Sequence, residues 1–306
     1  MWLPGRRASR NWEAKRRRAF WWGLAPALFV LVTITLAPAI FLVTVSLTPL
    51  DLTRPEETAW VFSAPGKNYI DLWADERFIN SIWVQVKLSL ITVIAQILLG
   101  LGVALMLNAR SRFLEAVRTA FLIPMVLPPI VVAMIWKVIY IPDVSPFYRT
   151  LEAFGFYPDA IITDPFWALW AIALADTWEW FPFTMLILLA ALQMIPDEPL
   201  EAAHIDGASR FQLFRYIVLP LLRPTIVVAA LFRLIDSIKA FPLIYVLTNG
   251  GPGVVTEVTN YYAFIQAFNF SYWGYASAIS VLMVAGVFFL SWLINRLGTA
   301  NSTFET

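Results

Sequence analysis

Apolar residues in this chain come in long blocks, with the polar residues gathered at the breaks between them. A helix needs about 20 mostly apolar residues to cross roughly 30 Å of hydrocarbon. Six blocks reach that length, at residues 20–47, 82–107, 119–140, 166–192, 224–247 and 275–295. Proline and glycine punctuate most of their ends, where helices stop. The pattern predicts an all-α fold, a polytopic membrane protein with six transmembrane helices. Composition points the same way. Hydrophobic residues make up 59% of the 306 and charged residues 14%, against about 25% charged in soluble domains.

The first block follows a basic segment and contains Ala37-Pro38-Ala39, which superficially looks like a signal-peptidase site. A signal peptide has an apolar core of about 7–15 residues. This run starts before Trp22 and continues to Leu47, with proline inside the apparent site, so it reads as an uncleaved span. Lys and Arg then orient the spans. Arg6, Arg7, Arg10, Lys15, Arg16, Arg17 and Arg18 precede the first. Arg110, Arg112 and Arg118 separate the second from the third, Arg210, Arg215 and Arg223 the fourth from the fifth, and Arg296 follows the sixth. The opposite side holds only Arg54, Lys67, Arg77 and Arg149, so fourteen basic residues face four. The positive-inside rule puts the richer side, and with it both termini, in the cytoplasm. One moderately long loop, at about 48–81, lies outside. Its Trp60, Tyr69, Trp73 and Trp83 suit a short amphipathic segment floating at the interface. No internal repeat is visible, so the inverted symmetry of many secondary transporters is not evident.

Candidate chemistry is sparse. Without cysteine there is no disulfide, thiolate metal site or thiol nucleophile, and the one histidine, His204, excludes His-pair chemistry. H-E-x-x-H and the G-x-x-x-x-G-K-[ST] phosphate loop are both missing. An intramembrane enzyme is disfavoured, and the chain is expected to bind neither metal nor cofactor.

The most informative stretch is the loop between the fourth and fifth blocks. Asp197 suits an N-cap, Pro199 fits a first turn, and Glu198 and Glu201 favour the positive end of a helix running from Glu198 to about Asp206. Ala202 and Ala203 give it a small surface, and Gly207 permits the left-handed turn that ends it. A second short amphipathic helix is expected over about 209–218, with Pro220 and Pro224 marking entry to the fifth span. Such a helix–turn–helix transmits force or docks a partner, or merely tidies a long loop at the interface.

Glu201-Ala202-Ala203, Asp206-Gly207-Ala208, Ile217, Leu219-Pro220 and Pro224 resemble, in residue type and spacing, the EAA loop of binding-protein-dependent ABC importer permeases. Trp178 to Phe183, Phe232 to Lys239 and Tyr245 to Gly253 look like the carbohydrate-uptake branch related to the maltose and glycerol-3-phosphate systems. The likeness covers nearly the whole chain and is weakest over residues 1–20 and the external loop. Two features depart from it: Pro242 stands where many relatives carry an acid, and the large external domain of the maltose permease is missing.

The resemblance implies a type I ABC importer permease fold in a bacterial inner membrane, organised as a basic cytoplasmic N-terminus (1–19), one transmembrane permease domain (20–296, coupling loop about 193–223) and a cytoplasmic tail (297–306). It makes Glu201, Ala202, Ala203, Asp206 and Gly207 the residues that dock a cytoplasmic ATPase. The implied partners are a second permease subunit, two ATPase subunits that use ATP and magnesium, a periplasmic or lipid-anchored solute-binding protein and a sugar-like solute in a lipid bilayer, with no nucleic acid. Substrate would cross by alternating access.

Charges inside spans are costly and usually face a cavity or one another. Lys87 and Lys137 lie near helix ends, where snorkelling accounts for them. Asp176, Glu179, Arg233, Asp236 and Lys239 lie deeper, the last three at spacings that share one helix face. They form either an ion-pair ladder that ties the fifth span to the fourth or, with Trp178, Trp180 and Phe183 around Pro182, the lining of a substrate path. The Asn249 to Gly253 turn is either a tight external turn or a contact beneath a docked binding protein. The rival function is a secondary transporter or channel that uses the intramembrane carboxylates.

Overall fold

The computed structural model describes residues 6–54, 56, 60–109, 111–156 and 159–299; residues 1–5, Arg110 and 300–306 lie outside them. Among the described residues every regular element is helical. In chain order they are α1 (Arg6–Leu31), α2 (Ala37–Ser46), α3 (Lys67–Ala74), α4 (Glu76–Leu107), α5 (Arg112–Phe121), α6 (Ile123–Val126), α7 (Pro129–Tyr140) and α8 (Pro146–Ala153). There follow α9 (Ala168–Gln193), α10 (Asp197–Ile205), α11 (Arg210–Leu213), α12 (Leu219–Ser237), α13 (Phe241–Leu247), α14 (Thr259–Phe264) and α15 (Trp273–Thr299). Three π segments, Val32–Leu36, Phe214–Val218 and Ile265–Asn269, continue neighbouring α-helices.

Among the described residues five helices are long and apolar enough to span a bilayer: Lys15–Ser46, Glu76–Leu107, Ala168–Gln193, Arg210–Ser237 and Trp273–Ile294. The expected third span is not one helix. Pro124, Pro128 and Pro129 supply no backbone donor, so it divides into α5, α6 and the shorter apolar α7. The fifth span is also displaced from the expected 224–247. The helix expected over about 209–218 is continuous with it, so one rod runs from Arg210 through Pro220 and Pro224 to Ser237. The break that sequence placed before Pro224 lies instead before Pro242, the second residue of α13. Its ring crowds the carbonyl four residues back, and that carbonyl, on Ile238, accepts a hydrogen bond from Asn260 Nδ2 at 2.8 Å. The first two π segments have a similar origin. Val32–Leu36 precedes Pro38 and Phe214–Val218 precedes Pro220, where a missing donor relaxes the ladder to wider turns.

The core is built on α4 against α9. Gly100 lets their backbones meet: a Cβ there would sit 2.9 Å from the amide nitrogen of Met185 and from Thr184 Cβ. Towards one end the apolar packing of α4 and α9 gathers Ala104, Leu107, Leu188, Leu192 and the Val218–Leu222 turn of the rod. Towards the other, Leu88, Ile172 and Ala175 pack with α7 and α13. The second span begins at Glu76 rather than residue 82 because Asp75 caps it, accepting from the amides of Arg77 (2.9 Å) and Phe78 (3.2 Å).

The amphipathic segment expected in the external loop is α3, and it is tied down rather than floating. Leu72 is buried with Phe78, Tyr262 and Ile279. Asn68 Nδ2 donates to the carbonyls of Ser46 (2.9 Å) and Thr48 (2.8 Å), and Tyr69 bonds Ser46 Oγ at 2.7 Å. Trp60, Trp73 and Trp83 are exposed, as interfacial anchors would be. Asp75 Oδ2 also accepts from the phenols of Tyr262 and Tyr275 (2.6 Å for the latter). Burial works to raise the Asp75 carboxyl, but the two phenols and two amides outweigh it and hold it below the ordinary aspartate range. Arg77 forks onto Glu257 at 2.8 and 2.7 Å, pinning the loop after α13.

Candidate functional site

Two sites stand out, one at each end of the rod Arg210–Ser237. At its beginning, α10 and the rod form a hairpin. Helix α10 starts at Asp197 with Pro196 as N-cap residue, one position before the expected cap. Gly207 has φ +75, the left-handed conformation that a side chain resists. Its amide bonds the carbonyl of His204 (3.1 Å) and the next amide, Ala208, bonds that of Ala203 (2.9 Å), a Schellman closure of the helix end. Ser209 then opens the rod with a reciprocal cap: its amide donates to Gln212 Oε1 (2.8 Å) and its hydroxyl accepts from the Gln212 amide (3.4 Å). The turn is thus rigid without burial.

Leu200, Leu213 and Phe214 anchor the hairpin on the core. No residue of α10 is buried, and Glu201, Ala202 and Asp206 are exposed, with Ala203 half-buried. An open cleft of about 290 Å³ lies along the turn, lined by Asp206, Gly207, Gln212, Tyr216 and Ile217 among others. Ile205, 86% exposed, sits beside it. An element so well closed, with an apolar residue projecting from it, has the form of a docking knob.

At the other end lies a polar cluster. Arg233 is 2% exposed. Its Nε donates to Gln96 Oε1 at 2.7 Å, Nη1 pairs with Asp236 Oδ2 at 2.6 Å, and Nη2 lies 3.8 Å from Asp176 Oδ2. Gln96 Nε2 closes the ring by donating to Asp176 Oδ2 at 2.8 Å, and the guanidinium sits 4.8 Å over the Trp180 ring. Asp236 is one-third exposed and leads outward to Lys239, whose amine is 3.7 Å away on a side chain 73% exposed. The five charged residues singled out in the sequence therefore divide. Asp176 and Arg233 are buried ties, Asp236 and Lys239 reach the surface, and Glu179 is fully buried with neither oxygen hydrogen-bonded among the described residues. The aromatic residues disperse: Trp178 packs edge-on to Trp136, Phe183 on Phe232, and only Trp180 joins the cluster.

Sequence reading overlooked the α4 side of this cluster. Gln96 bridges Asp176 and Arg233, and further along Ser89 Oγ receives the Ser237 hydroxyl at 2.8 Å, with Gln85 Nε2 donating to Ser89 Oγ at 3.1 Å. The signal was there, since Gln85, Ser89, Thr92 and Gln96 recur at helical spacing in an otherwise apolar span.

Residues 96–299 match the family described as the inner membrane component of binding-protein-dependent transport systems. The chain belongs to that family. This inner membrane component is a multi-pass membrane protein and a part of a transport system rather than an enzyme in its own right. It is similar to the trehalose/maltose transport system permease protein MalF of Thermococcus litoralis, 40% identical over 71% of this chain and 73% of that protein. The trehalose transport system permease protein SugA of Mycobacterium tuberculosis is 31% identical over 93% of this chain and 89% of its own length. In fold, the inner membrane component is like a chain of a bacterial ABC transporter involved in the import of the acidic polysaccharide alginate, with a TM-score of 0.79, 22% identity and coverage of 95% of this chain and 99% of that one.

Proposed function

We propose that this chain is the membrane-spanning subunit of an ATP-driven sugar importer, with its α10 hairpin as the mechanical input. The observation that carries the reading is the hairpin itself: a short helix with no buried residue, closed at both sides of Gly207, anchored through Leu200 and Leu213 and leading directly into a transmembrane rod. Glu201, Ala202, Ala203, Asp206 and Gly207 form the surface that seats in a separate ATPase subunit. The alanines allow close approach and the acids meet basic groups. ATP and its magnesium ion belong to that subunit, since this sequence carries no phosphate loop. Two such subunits, a second permease chain and an external solute-binding protein complete the assembly, and substrate passes by rigid-body alternation of the two permease chains.

The sugar class is supported by relatives named for trehalose, maltose and sulfoquinovosyl glycerol. In this reading the hairpin and both termini face the cytoplasm, residues 20–296 are one permease domain between a basic cytoplasmic segment (1–19) and a tail (297–306), and the path runs past Asp236 and Lys239. The test is the assembled transporter in proteoliposomes, assayed for uptake of trehalose, maltose and sulfoquinovosyl glycerol. Glu201→Lys and Gly207→Pro should leave the protein inserted yet sever uptake from ATP hydrolysis; normal coupled uptake by both sinks the assignment. The chain has no cysteine, so Ile205→Cys reports orientation, and labelling from outside by an impermeant maleimide refutes the topology. The buried Glu179 carboxyl, without a hydrogen bond among the described residues, favours an ion-driven carrier. Uptake that survives ATP depletion and collapses with an uncoupler would decide for that rival.

A further inference from the structure

Beyond the polar cluster, α13, α14 and the π segment Ile265–Asn269 bring together rings far apart in sequence. Phe241 and Tyr245 stack at 5.4 Å with an interplanar angle of 18°. Phe264 meets both, at 5.0 and 5.8 Å, then Phe268 at 5.0 Å, and Phe268 meets Trp273 at 5.7 Å. This ribbon rests on the core and opens outward: Phe241 and Phe264 are partly buried against it, Tyr245 is 44% exposed and Phe268 64% exposed, and Tyr261 beneath them is buried. One end of the ribbon abuts α15 at Trp273. The other reaches Phe241, two residues after Lys239, where Asn260 holds the carbonyl of Ile238 and its own Oδ1 has no partner among the described residues.

A ring surface in a membrane protein ordinarily faces lipid, but the exposed Lys239 beside this one, paired only with a part-exposed Asp236 at 3.7 Å, is costly in hydrocarbon. The combination suits a different occupant. A pyranose presents faces of C–H bonds with small positive partial charge and a rim of hydroxyls. Aromatic faces are electronegative and attract the former, while a carboxylate, an ammonium and an amide oxygen receive the latter. We infer that the Phe241–Tyr245–Phe264–Phe268 ribbon is a binding surface for a pyranoside, along which the sugar's faces stack on the way to the hydroxyl-binding group of Asp236, Lys239 and Asn260. The inference rests on the sugar-import reading and adds to it the surface that recognises the sugar ring.

The experiment uses the complete transporter in proteoliposomes with radiolabelled trehalose, maltose and sulfoquinovosyl glycerol as probes. Tyr245→Leu and Phe264→Leu keep an apolar side chain but remove the ring. Each should raise KM for the transported probe about tenfold, the effect of losing one ring contact and its buried face, with recovery of the second permease unchanged. Phe289→Leu, an exposed ring on α15 away from the ribbon, is the control and should leave KM as it was. Tyr245→Cys, alone in a chain without cysteine, should label with an external maleimide and be protected by the same probe. Unchanged KM in both leucine variants together with unprotected labelling overturns the inference while the functional reading stands. Loss of the second permease on purification overturns it too, because the ribbon is then a subunit interface. A wild-type complex that moves none of the three probes removes the functional reading, and this inference falls with it.

Discussion

Replacing Arg233 with leucine tests whether the polar cluster is a tie between spans. The guanidinium is nearly inaccessible and serves three elements at once, Gln96 on α4, Asp176 on α9 and Asp236 on its own rod. Leucine fills part of the space but leaves the Asp176 carboxylate without its cation and Gln96 Oε1 without its donor, in a place water cannot replace them. Removing one partner of a buried pair costs about 3–5 kcal/mol, chiefly the desolvation of the charge left behind. At about 1.4 kcal/mol per tenfold, that lowers the folding equilibrium by two to four orders of magnitude. Replacing both Arg233 and Asp176 with leucine removes charge and countercharge together, which is often close to neutral, so most of the lost stability should return. Tryptophan fluorescence during unfolding of the purified chain in lipid nanodiscs measures both variants. A single variant that loses less than about 1 kcal/mol, or a double variant as unstable as the sum of its parts, would falsify the idea that Arg233 holds the spans together by charge.

Three further outcomes follow from local geometry. Ser209→Ala removes one half of the reciprocal cap and should cost about 1 kcal/mol, read as faster proteolysis at the hairpin with the spans intact. Gly100→Leu puts a side chain where even a Cβ lies 2.9 Å from the Met185 amide nitrogen, so α4 and α9 must separate, and thermal stability should fall by several degrees while the α10 hairpin stays unaltered. Asp75 is held below the ordinary aspartate value, so its contribution is complete above about pH 4 and is lost as pH falls through its lower folded value. Acid unfolding monitored between pH 6 and pH 2 should show that loss, and Asp75→Asn should abolish it.

Much of the hairpin was legible in the sequence because its signals are local. Gly207, the acids of the first turn and the small pair Ala202–Ala203 each act within a few residues, and the turn has the shape they imply. Span existence was legible for the same reason, since block length is a one-dimensional property. Two boundaries misled. Pro220 and Pro224 look like stops, yet the rod widens into a π turn ahead of Pro220 and carries Pro224 inside α12, whereas the helix stops before Pro242, where Asn260, on another element, donates to the freed carbonyl. The polar cluster was half visible: the acids and bases of α9 and α12 stand out in apolar spans, but neutral Gln96, which joins them, does not. The ring ribbon was invisible because Tyr245 and Phe268 are brought together only by the fold of residues 248–264, and nothing in their spacing pairs them.

Those contacts also restrict how motion can pass through the molecule. The rod Arg210–Ser237 has 28 residues, about 42 Å at 1.5 Å each, so a tilt of roughly 10° about its base would carry its far end about 7 Å. That is far more than any hydrogen bond survives. If α12 moved alone, Ser237 would leave Ser89, now 2.8 Å away, and Arg233 would leave Gln96. Under the coupling reading α4, α9 and α12 must therefore turn as one body, and the relative motion must fall at surfaces outside this cluster. A disulfide between Ser89→Cys and Ser237→Cys, in a chain with no other cysteine, separates the two cases. The present oxygen separation places the pair within reach of a bond. If the three helices move together, oxidised and reduced transporter should take up sugar at the same rate, with cross-linking shown by loss of free thiol. Arrest of uptake on oxidation and recovery with dithiothreitol would mean that α12 slides past α4 in each cycle, and the cluster would then be a latch that breaks and reforms rather than a fixed tie.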